Sequence, residues 1–381
     1  MNQLPEIRLD NRILERGQDS LVLRARAKAN LSLRICGKLP SGYHFLQSVV
    51  CPLSLADSVR IELHKGSSDI ECETRCSPAL KRHFDSCSAL DPAVAERVHS
   101  LSSAKNLAAK AARLMSDELH LPFGARIEVE KAIPLEAGLG GGSADAAAVI
   151  VGINELLDLG LPPARLFELG AKVGSDVPAL IADSLVLMTG RGEELSAVEG
   201  PENWTAGIEL LVIKPLQSVS TASAYSMFDC RTSISERNIH EFGPFSESAL
   251  SMLREQSLRL VTSDSADDEA DKQLTLLTRE GISGGPILGS RSRALPRFVN
   301  DFQSVILGHY AEIRAASEQL TVAGADQVLL AGSGSALIGV FGCDAENVST
   351  EEREANDAAK ASVIADALQR GWFVSESRFE P

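Results

Sequence analysis

From Leu21 to Ile35 the chain alternates without a break, and this run restricts its possible folds more than any other stretch. Leu21, Leu23, Ala25, Ala27, Ala29, Leu31, Leu33 and Ile35 fall on one face, and Arg24, Arg26, Lys28, Asn30, Ser32 and Arg34 on the other. A period of two over this length predicts a half-buried strand, or two strands joined by a bend, with its basic face in solvent. Taken alone, Lys28 is then one of four cations on a wetted face. Such a face is scarce in a chain with 37 Lys plus Arg against 52 Asp plus Glu, a formal charge of −15. A surface that negative repels phosphate backbones and anionic lipid heads, so nucleic acid and membrane are not expected partners. An anionic ligand would need a local positive pocket.

The rest of the chain mixes periods. Ser48 to Leu55 and Ile127 to Lys131 read as strands, Asn106 to Leu119 as an amphipathic helix, and Ser143 to Leu159 as an Ala-rich helix followed by another from Pro162. Val328–Ala331 and Ala336–Phe341 read as strands around the turn Gly332-Ser333-Gly334-Ser335, and a last helix spans about Glu354 to Gln369. Strands and helices interleave with antiparallel-style sections, which predicts an α+β class. Two stretches read as loop-like insertions, about 72–105 and 231–296, the second Ser-rich and acidic. No apolar run reaches the length of a membrane span, and the charged first residues resemble no secretory signal, so a cytoplasmic protein is expected. Cys72, Cys76, His83 and Cys87 lie close in sequence but lack C-x2-C spacing, and the seven cysteines are expected to be reduced and without a metal.

The sharpest chemical signal is Lys131-Ala-Ile-Pro-Leu-Glu-Ala-Gly-Leu-Gly-Gly-Gly-Ser143-Ala-Asp-Ala-Ala-Ala148. Glycines at 138, 140, 141 and 142 free the backbone to curl and turn its N–H groups inward. Ser143 is expected to open a helix whose first amides favour an anion. A strand, a glycine-rich loop and a helix start together predict a phosphate cradle. No GxxxxGK[ST] occurs, and Ser143 stands where GxGxxG needs its last glycine, so neither a Walker A loop nor a dinucleotide fold fits. In Gly174-Ser-Asp-Val-Pro178, Asp176 reads equally well as a helix N-cap or as a functional carboxylate. Tyr43-His44 reads as a binding pair or as a packed ring beside a surface histidine.

Taken together these pieces resemble the GHMP kinase superfamily. The resemblance rests on Ala27-Lys-Ala-Asn-Leu31, Gly42-Tyr-His44 with Leu46-Gln47, Asn106-Leu107, Lys131-Ala-Ile-Pro134 and Gly138 to Ala148. It continues through Gly174-Ser-Asp-Val-Pro178, Gly192-Glu193, Val219-Ser-Thr221, Asn300-Asp301 and Gly332-Ser-Gly-Ser335. The strand motif followed by Gly-Tyr-His-x-Leu-Gln narrows it to members acting on a cytidine-diphosphate-linked isoprenoid precursor. The chain departs from the family in having Ser143-Ala144 where two serines are usual, and in its two insertions.

The resemblance implies a ribosomal-protein-S5-like N-terminal domain over 1–206 and a ferredoxin-like C-terminal domain over 207–381. It implies ATP and Mg2+, with the nucleotide held by Pro134, Leu135, Glu136, Ala137, Gly138, Leu139, Gly140, Gly141, Gly142, Ser143, Ala144 and Asn106. Asn30, Tyr43, His44 and Thr221 would bind the substrate, with Tyr43 and His44 on the cytosine. Asp176 would orient or deprotonate the attacking hydroxyl, with Lys28 paired to it and meeting the phosphoryl charge. Ser143 is a weaker candidate metal ligand, and the resemblance allows a homodimer. Another alcohol kinase of the superfamily, or an inactive nucleotide-binding relative, are the alternative readings.

Overall fold

The computed structural model describes residues 4–38, 42–64, 66–90, 106–121, 123–198, 204–231, 298–342 and 350–381. The chain begins with β1 (Ile13–Arg16), β2 (Ser20–Lys38), β3 (His44–His64) and β4 (Ile70–Cys76), then α1 (Pro78–Leu90), α2 (Leu107–Leu119) and β5 (Gly124–Lys131). Next come α3 (Gly141–Leu156), α4 (Pro163–Val173), α5 (Val177–Ala182), β6 (Val186–Thr189) and β7 (Glu194–Ala197). The remainder holds β8 (Glu209–Lys214), α6 (Thr221–Arg231), β9 (Val299–Asn300), α7 (Gln303–His309) and α8 (Ala311–Val322). It ends with β10 (Gln327–Leu330), β11 (Leu337–Phe341), α9 (Thr350–Gln369) and β12 (Phe373–Ser377).

The first sheet follows the order β1-β2-β3-β5-β4, with β6 also on β3, β7 on β6 and β9 on β2. The second is antiparallel in the order β10-β11-β8-β12. The class is α+β, as expected. Among the described residues no helix is long and apolar enough to cross a membrane.

β2 corrects the expected solvated face. Its apolar side serves three cores in turn: Leu21, Leu23 and Ala25 the first, Ala27, Ala29 and Leu31 the second, Leu33 the third. Its polar side is covered as well, and Arg26, Lys28, Asn30 and Ser32 are all buried. Sequence period registers only that two faces differ; here the second face is polar because it lines a site roofed by later chain segments. Register shifts between Arg26 and Lys28, Asn30 and Ser32, and Ile35 and Gly37 let the strand bend.

The stretch expected as a loop at 72–105 begins as β4, paired in parallel with β5, and continues as α1. Its short strand carries no clean alternation because much of it stays half-exposed on a sheet edge. Residues 91–105 and the insertion at 232–296 lie outside the described residues. His83 and Cys87 form a pair, Nε2 to Sγ 3.4 Å, and His83 Nδ1 lies 3.0 Å from the Gly371 carbonyl oxygen. These two residues therefore help hold α1 against the second half of the chain.

α3 is buried along most of its length, and its alanines allow close approach to β2 and β3. At Gly152 an added Cβ would come within 2.5 Å of Ile61 Cδ1. The same crossing buries three ionisable side chains. Lys131, at the end of β5, donates from Nζ to Asp57 on β3 and, at 2.8 Å, to Asp145 on α3. Asp57 Oδ1 also accepts the amides of Ala132 at 2.6 Å and Ile133 at 2.8 Å, which turns the chain into the glycine loop. Asp145 Oδ1 is buried with no hydrogen-bond partner among the described residues. Burial, reinforced by the Asp57 charge and opposed by Lys131, raises the Asp145 carboxyl from 3.8 to about 8.

A carboxyl that holds its proton more tightly folded than unfolded stabilises the fold most below its unfolded value. That stability is lost as pH climbs through the folded one. The thermal midpoint should therefore fall as pH rises from about 4 toward about 8 and level off above it, and Asp145→Asn should flatten that fall. Lys131→Met, which strands two buried acids, should cost about 3–5 kcal/mol in urea unfolding.

Candidate active site

The glycine loop joins β5 to α3 and lines a cleft of about 230 Å³. Pro134, Leu135, Glu136, Ala137, Gly138, Leu139, Gly140, Gly141, Gly142 and Ser143 all line it, together with Lys28, Leu107, Lys131, Asp176, Thr221 and Ser333. Ala144 lies just behind, buried in α3. The helix starts at Gly141, two residues earlier than expected, with Gly140 as N-cap at φ 75°. A left-handed cap suits glycine, which has no Cβ, so no side chain is needed to start the helix and Ser143 sits inside the first turn. Its first internal bond of this kind runs from Ala144 N to Gly140 O, 2.8 Å. The amides of Gly141, Gly142 and Ser143 precede that bond and have no partner within the helix, which makes an anion-binding end.

The second half of the chain closes on the loop. Ala336 N donates to Ala137 O at 3.1 Å, and Ser335 Oγ to Glu136 O at 3.2 Å. An added Cβ at Gly138 would lie 1.7 Å from Ala331 O, and one at Gly334 would lie 2.1 Å from Gly138 N. The turn at 332–335 therefore interlocks with the loop, backbone against backbone. Asn300 supports it by donating from Nδ2 to Leu330 O at 2.8 Å and Gly332 O at 2.6 Å.

Lys28 lies between the two glycine turns. Its side chain passes 3.1 Å from the Cβ position of Gly140, and its Nζ is 3.1 Å from that of Gly332. Its amide donates to Leu139 O at 3.0 Å. Nζ donates to Asn30 Oδ1 at 2.6 Å and lies 3.6 Å from Asp176 Oδ2. Asn30 in turn donates to Ser48 Oγ at 2.7 Å, which fixes its amide so that its oxygen faces the ammonium. Lys28 is thus a buried, aimed cation, because bends in β2 bring its polar face under the loop.

Asp176 occupies the N-cap position of α5, yet its side chain makes no cap hydrogen bond and is 36% exposed toward the cleft. This removes the capping role as the reason for an aspartate there. Gly192, at φ 113°, presses on the neighbouring residue, its Cβ position 2.7 Å from Ser175 O.

Thr221 begins α6 at the cleft, 3.1 Å from Ser333 Oγ. One turn on, Tyr225 stacks on His44 with centroids 4.5 Å apart and planes 23° apart. Burial, with the nearby Asp176 charge, pushes the Tyr225 hydroxyl up to about 12. His44 Nε2 lies 2.7 Å from Asp229 Oδ1, and Lys38 donates to the other Asp229 oxygen at 2.5 Å. Burial would raise the Asp229 carboxyl, but these two hydrogen bonds outweigh it and its pKa is lowered. Tyr43 points outward, 60% exposed, beneath the Arg191 guanidinium at 5.6 Å. Tyr43 and His44 are neighbours in sequence but face different surroundings. Tyr225 and Asp229 were not singled out from the sequence, since α6 has a weak apolar pattern and only the successive steps of four from Thr221 to Tyr225 to Asp229 mark one face. Asn106 caps α2 through Ala108 N at 2.8 Å and donates to Thr74 Oγ1 at 3.1 Å, while its neighbour Leu107 lines the cleft.

The GHMP kinases N terminal domain family model matches residues 106–184, which span the loop and Asp176. A 4-diphosphocytidyl-2-C-methyl-D-erythritol kinase from a Synechococcus species is 34% identical over 320 residues, 84% of this chain and 84% of the relative. The kinase of that name from Citrifermentans bemidjiense is 31% identical over 359 residues, 94% of this chain and 98% of the relative. A solved structure of 4-(cytidine 5'-diphospho)-2C-methyl-D-erythritol kinase has a TM-score of 0.56 at 23% identity, covering 94% of this chain and 99% of its own, and shows a shared fold.

Two glycines of this segment should respond unequally to a methyl group. Gly138→Ala combines a left-handed backbone with overlap against Ala331 and should lower stability by at least about 2 kcal/mol. At Gly142 an added Cβ meets only Leu107 Cδ1, at 3.4 Å. Gly142→Ala, inside a helix, should melt at or above the parent temperature in a thermal scan.

Proposed function

We infer the work of the cleft from one premise: the chain belongs to the 4-diphosphocytidyl-2-C-methyl-D-erythritol kinase family of GHMP kinases. It is an ATP-dependent kinase of the non-mevalonate isoprenoid precursor pathway. The acceptor in our reading is the 2-hydroxyl of the cytidine-diphosphate-linked erythritol. The observation that supports the assignment of parts is the Lys28–Asp176 pair, 3.6 Å apart, beside the open amides of α3.

When bound, ATP supplies the phosphoryl group and Mg2+ supplies neutralising charge. The cradle suits the nucleotide's phosphates, because a Cβ at Gly140 or Gly141 would crowd Lys28 or Lys131. For Mg2+, Ser143 is the residue in the cradle that would hold it, which suits an ion keeping most of its shell as phosphate oxygens and water. Asp176 aims the hydroxyl and takes its proton as the new oxygen–phosphorus bond forms, while the bond from that phosphorus to the bridging oxygen breaks and ADP leaves. Lys28, held by Asn30, stabilises the negative charge that grows on the transferring group. The amides of Gly141 to Ser143 meet the phosphate oxygens. His44, backed by Tyr225 and Asp229, would hydrogen-bond the cytosine, and Tyr43 would stack on it, with Thr221 on the substrate's polar chain.

The domain reading is part of the same proposal. The order β8, α6, α7, α8, β10, β11, α9, β12, interrupted by β9 which pairs with β2 of the first sheet, and the strand arrangement β10-β11-β8-β12 support a ferredoxin-like second domain beyond about residue 207. An S5-like first domain over 1–206 accompanies it.

Asp176→Asn should fold and melt like the parent, since the replaced side chain caps nothing, yet lose at least about 10²-fold in kcat. Lys28→Met should lose a similar factor, and the double variant little more, because the two act as a unit. Parent-like turnover in purified Asp176→Asn would defeat this mechanism.

The nucleobase assignment has its own measurement. Tyr43→Ala should raise KM for the cytidyl substrate by a factor matching about 1–3 kcal/mol and leave KM for ATP alone. The opposite selectivity, with KM for ATP raised instead, would mean that the two pockets are exchanged.

A further inference from the structure

α5 has an aspartate at each end, and β2 presents two cations to match them. Asp176 stands at the N-cap of the helix and Asp183 at its C-cap, so about 9 Å of helix separates them. Arg26 and Lys28 are two residues apart on the polar face of β2, about 6–7 Å along the strand. Lys28 pairs with Asp176 at the cleft, and Arg26 pairs with Asp183 at the far end. A helix of six residues has too little internal bonding to hold its own place, so its position must come from packing and from its two ends.

The far end is strongly held. Arg12 Nε lies 3.0 Å from the Asp183 oxygen that Arg26 also engages, and Arg12 donates to Ile181 O in the last turn of α5. The side chains of Arg12, Arg26 and Asp183 are 3%, 7% and 5% exposed. Arg26 is itself braced by Asn11 O at 3.2 Å, with Glu380 at 4.0 Å. Asp183 holds φ 51°, a left-handed conformation that favours glycine at a helix C-terminus. An aspartate tolerates that strain here while its carboxylate receives two buried guanidinium groups.

We propose that Arg26 and Arg12, acting through Asp183, are positioning residues for the phosphoryl transfer: they hold the far end of α5 and so set where Asp176 stands beside Lys28. The inference rests on the reading of Asp176 as the residue that handles the hydroxyl proton. Arg12 anchors the last turn, and Arg26 ties the helix to the strand that carries Lys28. The distance across the catalytic pair is therefore governed from a point a whole helix away from the chemistry.

Arg26→Ala leaves Arg12 on Asp183 but removes the tie between β2 and the far end of α5. Small misplacements of a catalytic group cost between about 10-fold and 10²-fold, so kcat should fall by that order while KM for each substrate stays within about twofold. In an Asp176→Asn background the same change should leave kcat unaltered, because the group it positions is gone. A merely structural role would lower both backgrounds by the same factor or neither, and either result overturns the proposal. Should Arg26→Ala not fold, Arg26→Lys carries the test: it keeps the charge but loses the forked geometry, and a smaller kcat loss confined to the parent background is expected. Parent-like kcat in folded Arg26→Lys would then count against the proposal. Asp176→Asn alone separates the two ideas. If it is inactive while Arg26 variants turn over normally, only the positioning inference fails. If it is active, the reading of Asp176 fails first.

Discussion

Lys131 is buried with its ammonium between Asp57 and Asp145, and β3, β5 and α3 converge on it directly beneath the glycine loop. Burying one cation with two acids is costly unless every partner is in place, so the arrangement tolerates little change of geometry. Asp57 extends the restraint into the loop by accepting the amides of Ala132 and Ile133. The loop is thus held from below by charge. Its glycines can then be shaped for a ligand and need not stabilise themselves.

From the other side the restraint is steric. Gly138 and Gly334 leave no room for a Cβ against each other's backbone, and Ser335 and Ala336 add hydrogen bonds. The shape of the glycine loop is therefore a product of both halves of the chain, and Lys28 is buried in the seam between them. The same seam turns Asn30 from an ordinary strand residue into the partner that aims Lys28. A cation placed this way is held in one position by neighbours that leave it little freedom to reorganise.

Local signals made much of this legible. The helix after the glycines, the short helix behind Asp176, the strand pair around Gly332 and the amphipathic helix near Asn106 all follow from turns and periodicity. The loop could be named because its glycines stand between a strand and a helix start, whereas Lys28 and Asp176 were paired only through the family resemblance. Tyr225 and Asp229 could not be, since a weakly patterned helix gives no hint that one of its faces backs His44. The edge strand β4 was missed for the same reason: half-exposed residues leave no clean period.

The sequence by itself determined the α+β class and a glycine loop that runs into a helix, because glycine, proline and alternation act on the nearest few residues. Only the tertiary structure decided that the basic face of β2 is interior. It also decided that Asp176 caps nothing, that Gly138 and Gly334 interlock, and that Arg12 and Arg26 share Asp183. Those facts depend on segments more than a hundred residues apart meeting in space. Whether a charge is wetted or buried is set by what covers it, and no local pattern records that.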